Sequence, residues 1–220
     1  MKILVTWFTC GRDAEALQLS AASVLRHVQG ELVLAAIEDA KDPLPADMTW
    51  PGIRIPGVDH GTHLDTLDSI VNQFAVWQQL AEEHKPQVIL KIDSDVLLMR
   101  HYRPSDCYVV GQRNGALNNW FLLGPAYSFP AFWKLPDRDD VAKWIAKNGI
   151  EVLLEDRIVS GMLAETCPIL ARPRHLGFHP FSHNLQEEFT FVEFGRLRRA
   201  GKDPLEARNR EMQRLSCINN

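Results

Sequence analysis

Asp93-Ser94-Asp95 is the part of this chain best suited to chemistry. The apolar run Val88-Ile89-Leu90-Lys91-Ile92 leads into it, and Val96-Leu97-Leu98-Met99 follows. Continuous apolar runs read as strands buried on both faces. Carboxylates at the mouth of such a strand carry a desolvation cost. A cation or a proton-transfer task explains them more readily than folding does. Ser94 is small, so a cation carrying phosphate oxygens could approach closely. This arrangement suits a divalent metal held against a nucleotide diphosphate. The plainer alternative is that one Asp caps a turn and the other faces water.

A second acidic pair, Glu155-Asp156, follows Val152-Leu153-Leu154. Asp156 could act as general base toward an attacking hydroxyl. Acidic residues also favour the first turn of a helix on electrostatic grounds alone. His175, His179 and His183 recur at four-residue spacing, but Gly177 and Pro180 argue against a helix and a three-His zinc site. One imidazole from this loop could complete the coordination of a metal at the D-x-D. Thr6, Thr9 and Arg12 lie at the end of the first apolar segment, where a base or ribose sits in an open parallel sheet. Glu38-Asp39 closes the second such segment and could bind ribose hydroxyls or a base edge. No G-x-x-x-x-G-K-[ST] or G-x-G-x-x-G loop is present, so ATPase and dinucleotide readings lack their phosphate cradle.

Several elements must position these residues. Ile3–Phe8 reads as a strand and Ala14–Val28 as a helix stopped by Gly30. Glu31–Ile37 reads as a second strand. Short connections between them mark a parallel sheet with crossover helices. Four prolines between Asp39 and Gly61 predict a loop, with a short strand at Ile53–Ile55. Leu67, Ile70, Val71, Phe74, Trp77 and Leu80 form the stripe of an amphipathic helix ended by Lys85-Pro86. Tyr108–Val110 precedes a change of texture, and Leu117–Leu123 reads as a strand. Pro130 interrupts the aromatic segment Tyr127–Trp133. Asp137 is placed to cap a helix that ends near Gly149, and another helix starts near Glu155. Asp203-Pro204-Leu205-Glu206 opens a last helix, docked through Leu205, Met212 and Leu215. The expected architecture is α/β, an open and mostly parallel sheet flanked by helices. Residues 1–195 form one compact domain, with a nucleotide-binding half (1–110) and an acceptor half (111–195). Residues 196–220 form a helical tail.

The 220 residues carry a net charge of −4, which gives no general drive toward nucleic acid. Cys10, Cys107, Cys167 and Cys217 form no C-x-x-C pair and read as reduced thiols of a cytoplasmic protein. No apolar run reaches the length of a membrane span, and the N-terminus lacks a signal-peptide pattern.

In order, the motifs are Lys91-Ile92-Asp93-Ser94-Asp95-Val96, Gly124-Pro125-Ala126-Tyr127, Glu155-Asp156-Arg157-Ile158-Val159 and a late His. That order resembles the GT-A fold glycosyltransferases, and most of all their galactosyltransferase and Fringe-like branch. The resemblance covers roughly residues 1–185. It implies a GT-A, Rossmann-like fold and transfer of a sugar from a nucleotide-diphosphate sugar, a UDP-sugar foremost, to a hydroxyl acceptor. It also implies Mn²⁺ or Mg²⁺ bound directly by Asp95, with Asp93 on the donor ribose or a metal-bound water. His179 or His183 would be the late metal ligand. Lys91 and Ser94 would lie with the donor, and Asp156 would be the base if the reaction inverts. Gly124 to Tyr127, with Glu155, would lie against the donor sugar or the acceptor. The chain departs from that branch in lacking its membrane anchor and lumenal cysteines, and Arg157 stands where a small apolar residue is usual.

Two other readings compete. A haloacid-dehalogenase-like phosphatase also carries D-x-D after an apolar strand, but there the motif lies near the N-terminus and Thr or Val occupies the position of Leu97. A non-catalytic nucleotide-sugar binding protein would share the fold without turnover. The last helix could also mediate assembly into a homo-oligomer.

Overall fold

The structure is a computed structural model. It describes residues 1–60, 66–111, 124–151, 153, 155–171, 175–178, 190–194 and 204–218. Its centre is a seven-stranded sheet of order β3-β2-β1-β4-β7-β6-β8. The strands are β1 (Lys2–Thr9), β2 (Glu31–Asp39), β3 (Ile53–Val58), β4 (Val88–Ile92), β6 (Val109–Gly111), β7 (Ala126–Pro130) and β8 (Ile169–Ala171). β3, β2, β1 and β4 run parallel. β7 is antiparallel to both β4 and β6, and β8 is parallel to β6. A smaller sheet has the order β5-β10-β9, made from β5 (Val96–Leu98), β10 (Phe191–Glu193) and β9 (Leu176–Phe178).

Alternation along the central strands sorts their side chains onto two faces. Leu4, Ala35, Ile37 and Ile89 meet Ile70, Phe74, Trp77 and Leu80 of α2 (Leu67–His84), with α3 (Arg138–Lys147) and α4 (Glu155–Thr166) beyond. Ile3, Val5, Trp7, Leu90 and Ile92 meet Leu17, Ala21 and Val24 of α1 (Ala14–His27). Large apolar residues on both faces are what keep β1 and β4 at the centre. Local signals set the helix ends. Thr66 and Ser69 form a reciprocal capping box that starts α2, and Lys85 closes it at φ 48° before Pro86. Asp137 and Asp140 form the same box at α3.

One expectation needs correction. Gly30 does not cap α1. That helix stops at His27, and Val28 is already extended and bridged to Tyr102. Gly30, at φ 151°, instead turns the chain into β2, where an added Cβ would meet the Met1 carbonyl at 2.7 Å. The Tyr127–Trp133 segment is interrupted at Pro130, where the buried strand Ala126–Pro130 ends and a turn begins. Pro130 pairs with Val88 of β4, and among the described residues β6 meets β7 at Ser128, two residues before the proline. The proposed strand at 117–123 falls outside the described residues.

The last helix, α5 (Pro204–Ile218), begins at the proline, as its capping pattern predicts. Met212 and Leu215 pack against Ala16 of α1, Leu97 and Met99 around β5, and Val192 and Phe194 around β10. Arg208 is fully buried in this contact. Its Nη1 donates to Asp13 Oδ1 at 2.8 Å and its Nε to Asn209 Oδ1 at 3.0 Å, while Asn209 Nδ2 reaches Glu15 Oε2 at 2.7 Å. No described helix is long and apolar enough to cross a membrane.

Candidate functional site

The parallel strands end side by side at Thr9, Asp39 and Ile92, and the candidate residues collect at this mouth. Asp93-Ser94-Asp95 forms the tight link from β4 to β5, with Val96 N donating to Asp93 O at 3.1 Å. Asp93 N donates to Pro125 O at 2.8 Å, which extends the β4–β7 pairing into the motif. Phe194 N donates to Asp95 O at 2.9 Å and ties the motif to the small sheet. Ser94 Oγ donates to Thr9 Oγ1 at 2.8 Å, so the ends of β1 and β4 are joined directly. The side chain of Asp93 is 41% exposed, whereas Asp95 retains only 8% exposure. A carboxylate so deeply set at a strand end needs a compensating charge or hydrogen bonds.

Lys91 organises the other side of the mouth. It points to the α2 face, and its side chain is 3% exposed. Nζ lies 2.6 Å from Asp93 Oδ1 and 3.6 Å from Glu155 Oε1. It also stands 5.5 Å from the Tyr127 ring centroid, a cation–π arrangement. Tyr127 OH donates to Glu155 Oε1 at 3.4 Å. Asp93 and Glu155, about sixty residues apart in sequence, thus meet across one buried ammonium. Glu155 and Asp156 open α4. The position of the Asp156 side chain is not described.

Toward the sheet edge, Asp39 is buried and its Oδ1 accepts from Lys41 N at 2.7 Å. His60, which the sequence reading did not single out, fills the space beside it. Its Nε2 is 3.1 Å from the Thr9 carbonyl and 4.0 Å from Asp39 Oδ2. Gln73 of α2 donates to the His60 carbonyl at 3.3 Å. His60 follows a proline-rich loop without periodicity, so nothing local marks it. Glu38 is occupied by Arg54, whose Nε and Nη2 meet its two oxygens at 2.5 and 3.0 Å. It therefore faces that guanidinium and not a ribose.

Other candidates are placed as follows. Thr6 is fully buried, and its hydroxyl accepts from Trp77 Nε1 at 3.0 Å, inside the core below the mouth. Arg12 is exposed on the 3-10 turn after β1, with Nε 4.0 Å from Asp13 Oδ2. Gly124, at φ 68°, makes the turn into β7. His175 is buried against Tyr102 and Phe191, and its Nε2 is 2.9 Å from the Ala126 carbonyl. His179 and His183 lie outside the described residues. Among the described residues, no group of three or more His, Cys, Asp or Glu side chains could by itself hold a metal. All four cysteines are free, and burial, with Asp13 beside it, pushes the Cys10 thiol up to about 12.

Burial lowers the pKa of His60 below 6.5, and the Lys91 charge acts in the same direction. The Thr9 carbonyl and Asp39 oppose it. A folded-state value below the unfolded one means that the unfolded chain binds the extra proton. The associated stability is therefore complete above about pH 6.5 and declines as pH falls toward the folded-state value. Urea unfolding at pH 7.5 and pH 5 should show this decline in the native protein and a shallower one in His60→Gln. Equal declines in both would contradict it.

Cavities of about 580 Å³ and 410 Å³ lie around Trp133. Neither includes the acidic residues of the mouth. No protein-family model matches this chain, and no curated protein matches it.

Proposed function

We propose that this protein is a GT-A-type glycosyltransferase. It moves a sugar from a nucleotide-diphosphate sugar, a UDP-sugar foremost, to a hydroxyl acceptor, with Mn²⁺ or Mg²⁺ at Asp95. The observation that carries this reading is the meeting of Asp93-Ser94-Asp95 with Glu155 through Lys91. The mouth lies at the carboxyl ends of parallel strands, where open α/β sheets bind ligands. We place the activity in the cytoplasm on the strength of the four scattered cysteines.

The donor set fits a hard cation. Mg²⁺ and Mn²⁺ take oxygen ligands, and Mg²⁺ is commonly held by one or two carboxylates with phosphate and water filling the rest. A three-residue protein cage is not required. Asp95 is the direct ligand in this reading, as the resemblance implies, and Asp93 lies 2.6 Å from the Lys91 ammonium. When bound, the cation stabilises the charge that develops on the diphosphate leaving group.

The chain's own residues do the remaining work. Thr9 and Ser94 fix the edge against which the nucleotide lies. Lys91 holds Asp93 and Glu155 at fixed separation, and Glu155 with Tyr127 orients sugar hydroxyls. In an inverting transfer Asp156, one residue along α4, accepts the proton of the acceptor hydroxyl as that oxygen bonds to the anomeric carbon. The sugar–phosphate bond breaks with its electron pair going to the diphosphate.

UDP release from a panel of UDP-sugars in Mn²⁺ tests this reading. Asp156→Asn should keep donor affinity and lose transfer by about 10²–10⁴-fold, the usual contribution of a general base. Full turnover in that variant would remove Asp156 from the role. Donor binding with no turnover of any sugar would favour a nucleotide-sugar carrier instead.

A further inference from the structure

We propose that the groove between Trp133, Trp144 and Met162 is a second binding site, for an amphipathic anion. Its ligand has an alkyl or ring body and a single phosphate, sulfate or carboxylate end. This site is independent of the transferase reading. β7 runs away from the mouth, since Ala126 pairs with Ile92 and Pro130 with Val88. The turn that follows β7 forms one wall of the groove, so the groove lies toward the opposite end of the sheet from Asp93. Its volume is about 580 Å³, within the range of about 300–1,000 Å³ typical of small-molecule sites.

The walls are aromatic and apolar. Trp133, Trp144 and Met162 are buried along the groove, and Phe132 stands at its rim with 76% exposure. The seating of Trp144 depends on α4. An added Cβ on Gly161 would meet Trp144 Cζ2 at 2.2 Å, so only glycine leaves room for the indole there. An exposed aromatic ring beside an apolar hollow is surface that a ligand would cover.

Charge specifies the ligand further. Lys134, Lys143 and Lys147 line the groove with Asp140 and Glu165. Glu165 Oε1 is 3.1 Å from Lys147 Nζ, and Asp140 Oδ2 accepts from Asp137 N at 3.4 Å in the capping box, so the lining carries three cations against two carboxylates. Lys134 and Lys143 have no ion-pair partner among the described residues. Two such cations above an aromatic trough complement an anion with an apolar body. A neutral apolar ligand would leave them unused.

The test is calorimetric titration of the whole protein with dodecyl phosphate, dodecanol and inorganic phosphate, below the aggregation threshold of the lipids. Dodecyl phosphate should saturate at one per chain, dodecanol should bind at least about tenfold more weakly, and inorganic phosphate should give no signal. The exposed double variant Lys134→Glu/Lys143→Glu should weaken dodecyl phosphate by about tenfold or more and leave dodecanol unchanged. Phe132→Asp, also at an exposed position, should weaken both. Mn²⁺-dependent UDP binding should be the same in all variants, which separates this site from the mouth. Equal affinity for dodecanol and dodecyl phosphate, binding without saturation, or indifference to the lysine changes would overturn the proposal.

Discussion

Replacing Asp93 and Glu155 together by alanine is expected to destabilise the protein by about 3–5 kcal/mol, the cost of removing the counter-charges of a buried ion. Lys91 is almost wholly out of water, and these carboxylates lie 2.6 and 3.6 Å from its ammonium. Either single change should cost less, because the other carboxylate remains. Asp93 is also substantially hydrated, which limits its individual contribution. Adding Lys91→Met to the double variant should recover most of the loss, since a methionine can fill the space without a charge to solvate. Urea unfolding of the native protein and the four variants measures this directly. If the double variant stays within 1 kcal/mol of the native protein, at about the level of an exposed pair, Lys91 is not the organising charge of the mouth.

The second large effect is expected at the other end of the chain. Arg208→Ala removes a fully buried guanidinium from Asp13, whose carboxylate also accepts from the Cys10 thiol at 3.3 Å. The expected loss is again about 3–5 kcal/mol. Here it should be localised, because α5 contacts the body through α1 and the small sheet. Amide hydrogen exchange should therefore rise over Pro204–Ile218 and the start of α1, with β1 and β4 still protected. Asp13→Asn/Arg208→Met should exchange less than Arg208→Ala, since neither partner is then left charged. Uniform acceleration across the whole sheet would show that the pair supports the entire fold and not the docking of α5.

These two sites also mark how far residue patterns alone carry. Periodicity revealed β1, α1, β2, α2 and β4 because each buries a continuous face or stripe. Capping chemistry located the starts of α3 and α5. The strand β7 was hidden by Pro130, since a proline is tolerated only where a strand ends or has an open side, and which case applies depends on its neighbours. The buried Arg208 was equally hidden. It sits in a charged helix beside exposed residues, and only the packing of α5 on Asp13 separates it from them. At the mouth, the D-S-D sequence was visible from its apolar approach. The bridge through Lys91 to Glu155 was not, because nothing local couples residues 91 and 155. His60 escaped notice for a related reason, since its partners Thr9, Asp39 and Gln73 come from three other elements.

The claim on which the rest depends is that Asp95 binds a divalent cation together with a nucleotide diphosphate. Calorimetric titration of UDP into the native protein, with and without Mn²⁺, tests it most directly, with Asp95→Asn alongside. Mn²⁺ should tighten UDP binding by at least about tenfold, equivalent to about 1.4 kcal/mol, and Asp95→Asn should abolish that increment while remaining folded. Identical UDP affinity with and without Mn²⁺, or a full Mn²⁺ increment in Asp95→Asn, would contradict the assignment.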